Sequence, residues 1–143
     1  MEVGDRTLSD SSGTKMKEHN ESQKMIPLYA KKWITLVKLE PESIEYDVIF
    51  KELLPVLDWP NDNPDLCLDF IQEVLSQTND ERVLYRLAAG PIESVLAHHP
   101  YKSIVILEGL SEKLPKLRNI MDGVWQNNMP DDVWQRVQKL TEK

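Results

Sequence analysis

Three kinds of side chain in this sequence could do chemistry: one thiol, a histidine pair and many carboxylates. Cys67 lies three residues before Phe70, on what the spacing makes the apolar face of a helix. That place suits a buried structural thiol better than a nucleophile. His98 and His99 are adjacent, so on a helix they point about 100° apart and cannot hold one metal from one face. At a helix C-terminus both suit the dipole there. His19 falls in a polar N-terminal stretch. No Ser-His-Asp arrangement or metal-ligand spacing occurs, and a single glycine at Gly90 cannot make a phosphate-cradling loop. Paired carboxylates are common, but an acidic chain produces them by chance. The expectation is no catalytic residue, no metal and no cofactor, and hence no enzyme.

The elements that must carry these residues read as helices throughout. Pro27 opens a helix to about Leu39, with Tyr29, Trp33, Leu36 and Val37 on one face. After a break at residues 40–43, a second runs from Ile44 to about Leu57, with Tyr46, Ile49, Phe50, Leu53, Leu54 and Leu57 at helical spacing. Pro55 should kink or stop it. Residues 58–64 read as a loop by composition, which leaves Trp59 and Pro60 exposed. Asn63 should then cap a helix over 64–77, and Asn79 or Asp80 one reaching Gly90. Ile104-Val105-Ile106-Leu107 is β-branched, yet no second strand exists to pair with it, so a helix capped by Ser103 is expected. Pro115 and Pro130 open the last two.

At Leu87-Ala88-Ala89-Gly90-Pro91-Ile92-Glu93 two apolar stripes meet at a corner. Gly90 with positive φ would end one helix, Pro91 would start the next, and Glu93 would sit where the helix dipole favours a carboxylate. Gly90 and Pro91 are thus expected to be architecture.

Charge is the feature that rises above background. The 143 residues carry a net charge of −7. Between Glu40 and Glu81 stand twelve acids and one base, Lys51, whereas Arg82 to the end holds nine bases and seven acids. Such a balance argues against nucleic acid as partner. Nothing approaches the roughly 18 consecutive apolar residues of a membrane span. With Cys67 alone no intrachain disulfide can form, and the N-terminus has no apolar signal segment, which together point to the cytoplasm. Residues 1–25 bury too little to offset ordering entropy and read as a disordered tail, leaving 26–143 as a single domain. The fold expected is all-α, a compact bundle of about seven short helices or an irregular stack of helix pairs.

The Gly-Pro corner, the run Ile120-Met121-Asp122-Gly123-Val124-Trp125 and the final Val133-Trp134-Gln135-Arg136-Val137 together resemble an uncharacterised bacterial family of small helical proteins. Its members carry a Leu-Ala-Ala-Gly-Pro-Leu-Glu motif, then Gly-Val-Trp, and open with a Trp-bearing helix like that around Trp33. Here Ile92 replaces the usual Leu, and no Gly follows His98. Proteins of this kind resemble the immunity proteins that bacteria place beside secreted or polymorphic toxins. The resemblance implies a protein that binds and occludes a cognate toxin acting in the cytoplasm.

An acidic protein suits a toxin with a basic active site, such as a nuclease or a nucleotide-acting enzyme. The expected docking face is Glu45, Glu52, Asp58, Trp59, Asp62, Asp65, Asp69 and Glu73. The alternatives are a helical adaptor or regulatory protein and, behind it, a small metal-dependent hydrolase.

Overall fold

Leu66, Cys67, Phe70, Ile71, Val74 and Leu75 recur every three to four residues, and a helix built on them has one wholly apolar side. A computed structural model of the chain, describing residues 2–142 with side chains from Lys17 on, puts that helix at the centre. The order is α1 (Glu2–Lys38), α2 (Ile44–Glu52), α3 (Leu54–Asp62), α4 (Pro64–Gln77) and α5 (Glu81–Leu87). A π-helical turn (Ala88–Ile92) follows, then α6 (Glu93–His98), α7 (Pro100–Lys113), α8 (Pro115–Ile120), a 3-10 turn (Met121–Gly123) and α9 (Asp131–Thr141). No strand occurs among the described residues, and the fold is all-α as expected. No described helix is long and apolar enough to cross a membrane.

The helix starts follow local chemistry. Proline stands in the first turn of α4, α7 and α8, where its missing N–H costs nothing. The Asp80 carboxylate caps α5, accepting from the Arg82 and Val83 amides at 3.0 and 3.4 Å, and Ser43 caps α2 through the Tyr46 amide at 3.1 Å. The β-branched run 104–107 is helical, within α7.

α1 lies along α4, and α3, α6 and α7 close around α4 from other sides. Phe70 is fully buried, with the Trp33 and Trp59 rings edge-on to it at 6.0 and 6.2 Å. Two buried hydroxyls are both satisfied: Ser103 donates to the Val95 carbonyl at 3.2 Å and Ser111 to that of Leu107 at 2.8 Å.

Five local expectations need correction. α1 does not begin at Pro27 but runs through it; the Pro27 carbonyl accepts from the Gln77 amide at 2.9 Å, which fixes this point of α1 on α4. The backbone from Glu2 belongs to this same helix; residue 1 and the side chains to 16, within the segment 1–25 expected as a disordered tail, lie outside the described residues. The helix expected over 44–57 is two, since Pro55 cannot supply an amide to α2 and sits instead in the first turn of α3. The expected loop 58–64 is mostly the second half of α3, and Asn63 makes no side-chain cap. Ser103 caps nothing, because α7 already begins at Pro100.

The fifth correction is the corner. No described glycine has positive φ, so Gly90 does not end a helix in the left-handed conformation. The chain instead widens into one π-helical turn, in which the Glu93 amide reaches back to the Ala88 carbonyl. The wider turn passes the ring of Pro91, which a regular helix accommodates poorly. α5 and α6 are joined without a break.

Candidate protein-binding face

α2 packs weakly and buries none of its own residues. Its helical phase divides it into two apolar sides. Tyr46 and Phe50, stacked with their centroids 6.0 Å apart, line with Leu53 and Leu57 of the following turns a cleft against α1 and the π-helical turn, where Phe50 and Leu57 remain partly open to solvent. Ile44 and Val48, four residues apart on the opposite side, face outward and are 82% and 52% exposed. Leu54 on α3 is exposed as well. Glu42, Glu45, Asp47, Asp58 and Asp62 are exposed on the same two helices and their approach. No ion pair joins any of these five acids to a described base, so their charge is open to solvent or to a partner.

The eight residues expected to dock a partner do not act as one group. Glu45, Asp58 and Asp62 are exposed and unpaired. Glu52 pairs with Lys32 of α1, and Asp65 with Lys102 of α7 at 2.6 Å. Asp69 accepts from the Gln23 side chain at 3.0 Å, and Glu73 accepts from Ser76 at 3.1 Å, both half-buried where α4 meets α1. These two lie on a different side of the molecule from α2, against Asn20, Lys24 and Pro27. Trp59, expected as an exposed anchor, is 6% exposed. Its ring meets Tyr29 edge-on at 5.7 Å as well as Phe70, so it belongs to the core, and Pro60 is buried beside it.

The remaining chemical candidates are accounted for by packing. Cys67 is buried, and burial pushes its thiol up to about 12, where it carries no thiolate at neutral pH. Its Sγ lies 3.9 Å from the Pro91 carbonyl oxygen. A ring nitrogen of His98 meets the Ser94 carbonyl at 2.8 Å, and one of His99 meets the Asn61 carbonyl at 2.7 Å. A nitrogen facing a carbonyl must carry its proton, so each ring is fixed as a donor. Gly90 and Pro91 lie in the π-helical turn between α5 and α6. Among the described residues no group of three or more His, Cys, Asp and Glu side chains could hold a metal ion.

Sequence reasoning missed the apolar half of this face. Ile44 and Val48 stand on the acidic side of α2, and their spacing was the available signal. It was masked by the stronger stripe on the inner side.

Residues 41–143 match a family of unknown function, DUF6869, and the chain belongs to that family. The match takes in every helix from α2 to α9. No curated protein and no solved structure matches the chain.

Proposed function

We propose that this protein is a binding partner rather than an enzyme. In this reading it is an immunity protein that holds and occludes a basic toxin in the cytoplasm through the outer face of α2 and α3. The observation that carries the reading is that α2 buries none of its residues while setting Ile44 and Val48 among unpaired acids. An apolar centre with a charged rim is the usual make-up of a protein interface. The rim acids would speed the capture of a basic partner and reject acidic ones. An adaptor would use the same face, and only the nature of the partner separates the two.

Reversing Glu45, Asp58 and Asp62 to Lys should leave the fold intact and sharply slow association with the toxin encoded by the neighbouring gene. A control reverses Lys113, Arg118 and Lys139, which are exposed and lie on other helices. In co-expression the toxin should kill cells carrying the first variant and spare those carrying the control. A neighbouring product that is not toxic, or equal protection by both variants, would remove the immunity reading.

A further inference from the structure

The inner side of α2 bounds a cleft of about 550 Å³, within the roughly 300–1,000 Å³ of small-molecule sites. Its walls are apolar: Trp33 and Val37 of α1, Phe50 of α2, Leu57 of α3 and Phe70 of α4 all line it. The π-helical turn forms one end through Ala89, Gly90 and Pro91. Two guanidinium groups, Arg82 and Arg86, complete the lining. They stand four residues apart on α5, so one face of one helix presents both.

Neither arginine makes an ion pair or a side-chain hydrogen bond with any described residue. That is unexpected in a chain of net charge −7, where acids are plentiful enough to neutralise them. The one acid in the lining, Glu40, offsets one of the two positive charges. The local balance therefore suits a singly charged anion better than a doubly charged phosphate. Arginine is the side chain whose planar donors match a carboxylate.

We infer that this cleft binds a small organic monocarboxylate with an apolar body, its carboxylate between Arg82 and Arg86 and its body against Trp33, Phe50 and Leu57. The site is separate from the outer face of α2 and α3, since Glu45, Asp58 and Asp62 do not line it, and it does not rest on the immunity reading.

The test titrates the full chain with decanoate, decanol and decylamine, each below its solubility limit, by calorimetry and by tryptophan fluorescence, with a Trp33→Phe chain isolating the contribution of Trp33 among the four tryptophans. Decanoate should bind, decanol should bind more weakly, and decylamine weakest of all. The double variant Arg82→Gln/Arg86→Gln changes only exposed side chains; it should weaken decanoate by about tenfold or more and leave decanol unchanged. Leu57→Glu, at a half-exposed position, adds an acid at the lining and should weaken decanoate more than decanol. Circular dichroism checks that both variants remain helical. Equal binding of all three compounds, unaltered decanoate binding in the arginine variant, or no decanoate binding by the wild-type chain would each overturn the inference.

Discussion

The Glu93 carboxylate accepts the Trp125 main-chain amide at 2.7 Å, and its second oxygen accepts the Asn127 side-chain amide, also at 2.7 Å. Glu93 thus serves two ends at once: it opens α6 and it holds the irregular segment between the 3-10 turn and α9. Val124 is buried next to this clamp, while the Trp125 indole stays outside, 72% exposed. Gly123 meets α5 and the π-helical turn closely; a Cβ there would stand 3.1 Å from the Tyr85 ring and 3.4 Å from the Ala88 methyl. The two short motifs are one joint in space. Glu93→Ala should cost about 1–3 kcal/mol, as for a lost charge-assisted pair of hydrogen bonds, and Glu93→Gln less. Urea midpoints of the three proteins measure it.

Gly90 and Gly123 should respond oppositely to a methyl group. Nothing stands within 4 Å of a Cβ at Gly90, and its φ is not positive. Gly90→Ala should therefore be neutral or stabilising by about 0.4–1 kcal/mol, through the unfolded chain. Gly123→Ala should be the less stable variant, because the Tyr85 ring must shift while its hydroxyl is held by the Asn119 carbonyl at 3.3 Å. Thermal melts of both will show the order, and a destabilised Gly90→Ala would restore a strained corner.

Trp59 should matter to folding and not to docking. Trp59→Ala removes a buried ring packed on Tyr29 and Phe70 and should cost about 3–5 kcal/mol. Trp59→Phe keeps most of the contact, so it should fold and bind a partner at the wild-type rate. A lowered association rate in a folded Trp59→Phe protein would return this residue to the interface.

Acid should remove one tie between α7 and α9. Two of the three guanidinium nitrogens of Arg136, Nε at 3.0 Å and Nη2, bond the Glu108 carboxylate, and these bonds hold the Glu108 carboxyl below its ordinary value. A carboxyl depressed in the folded state contributes its stability in full above the ordinary value and loses it as pH falls through the lowered one. Glu108→Gln should be less stable than wild type at neutral pH, with the gap closing below about pH 4. Denaturation across that range checks the sign; a gap that widens in acid would refute it.

A chain starting at Met25 should fold. Among the described residues, the hydrogen bond to α4 lost with the preceding ones is Gln23–Asp69, worth about 1 kcal/mol and so no more than about 8 °C in the melting midpoint. A larger fall would show that the first part of α1 is part of the core.

Much of this fold can be read from local chemistry. The prolines of α4 and α8, the Asp80 cap and the apolar side of α4 all declare themselves by type and spacing, whereas Pro100 as the start of α7 and Ser43 as a cap do not. The failures share a cause: Pro, Asn and Asp lower helix propensity, but tertiary packing decides. Pro60 and Asn61 read as loop, yet burying Trp59 beside Phe70 outweighs their preference and keeps α3 helical. Gly90 and Pro91 read as stop and start, yet a single π-helical turn passes the ring with no reversal of φ. For the proposed binding face, acid density was legible and its division was not. Nothing local shows that Asp69 and Glu73 turn toward α1, or that Lys32 and Lys102 occupy Glu52 and Asp65.

α2 also bears on how such a protein changes over generations. Substitutions that lower fitness through misfolding fall mainly on buried positions, and α2 has none. Ile44, Glu45, Asp47 and Val48 can be exchanged at almost no cost to the helices beneath. If α2 carries recognition as proposed, a lineage facing a succession of altered partners could rewrite that code on this one short helix and inherit the scaffold unchanged.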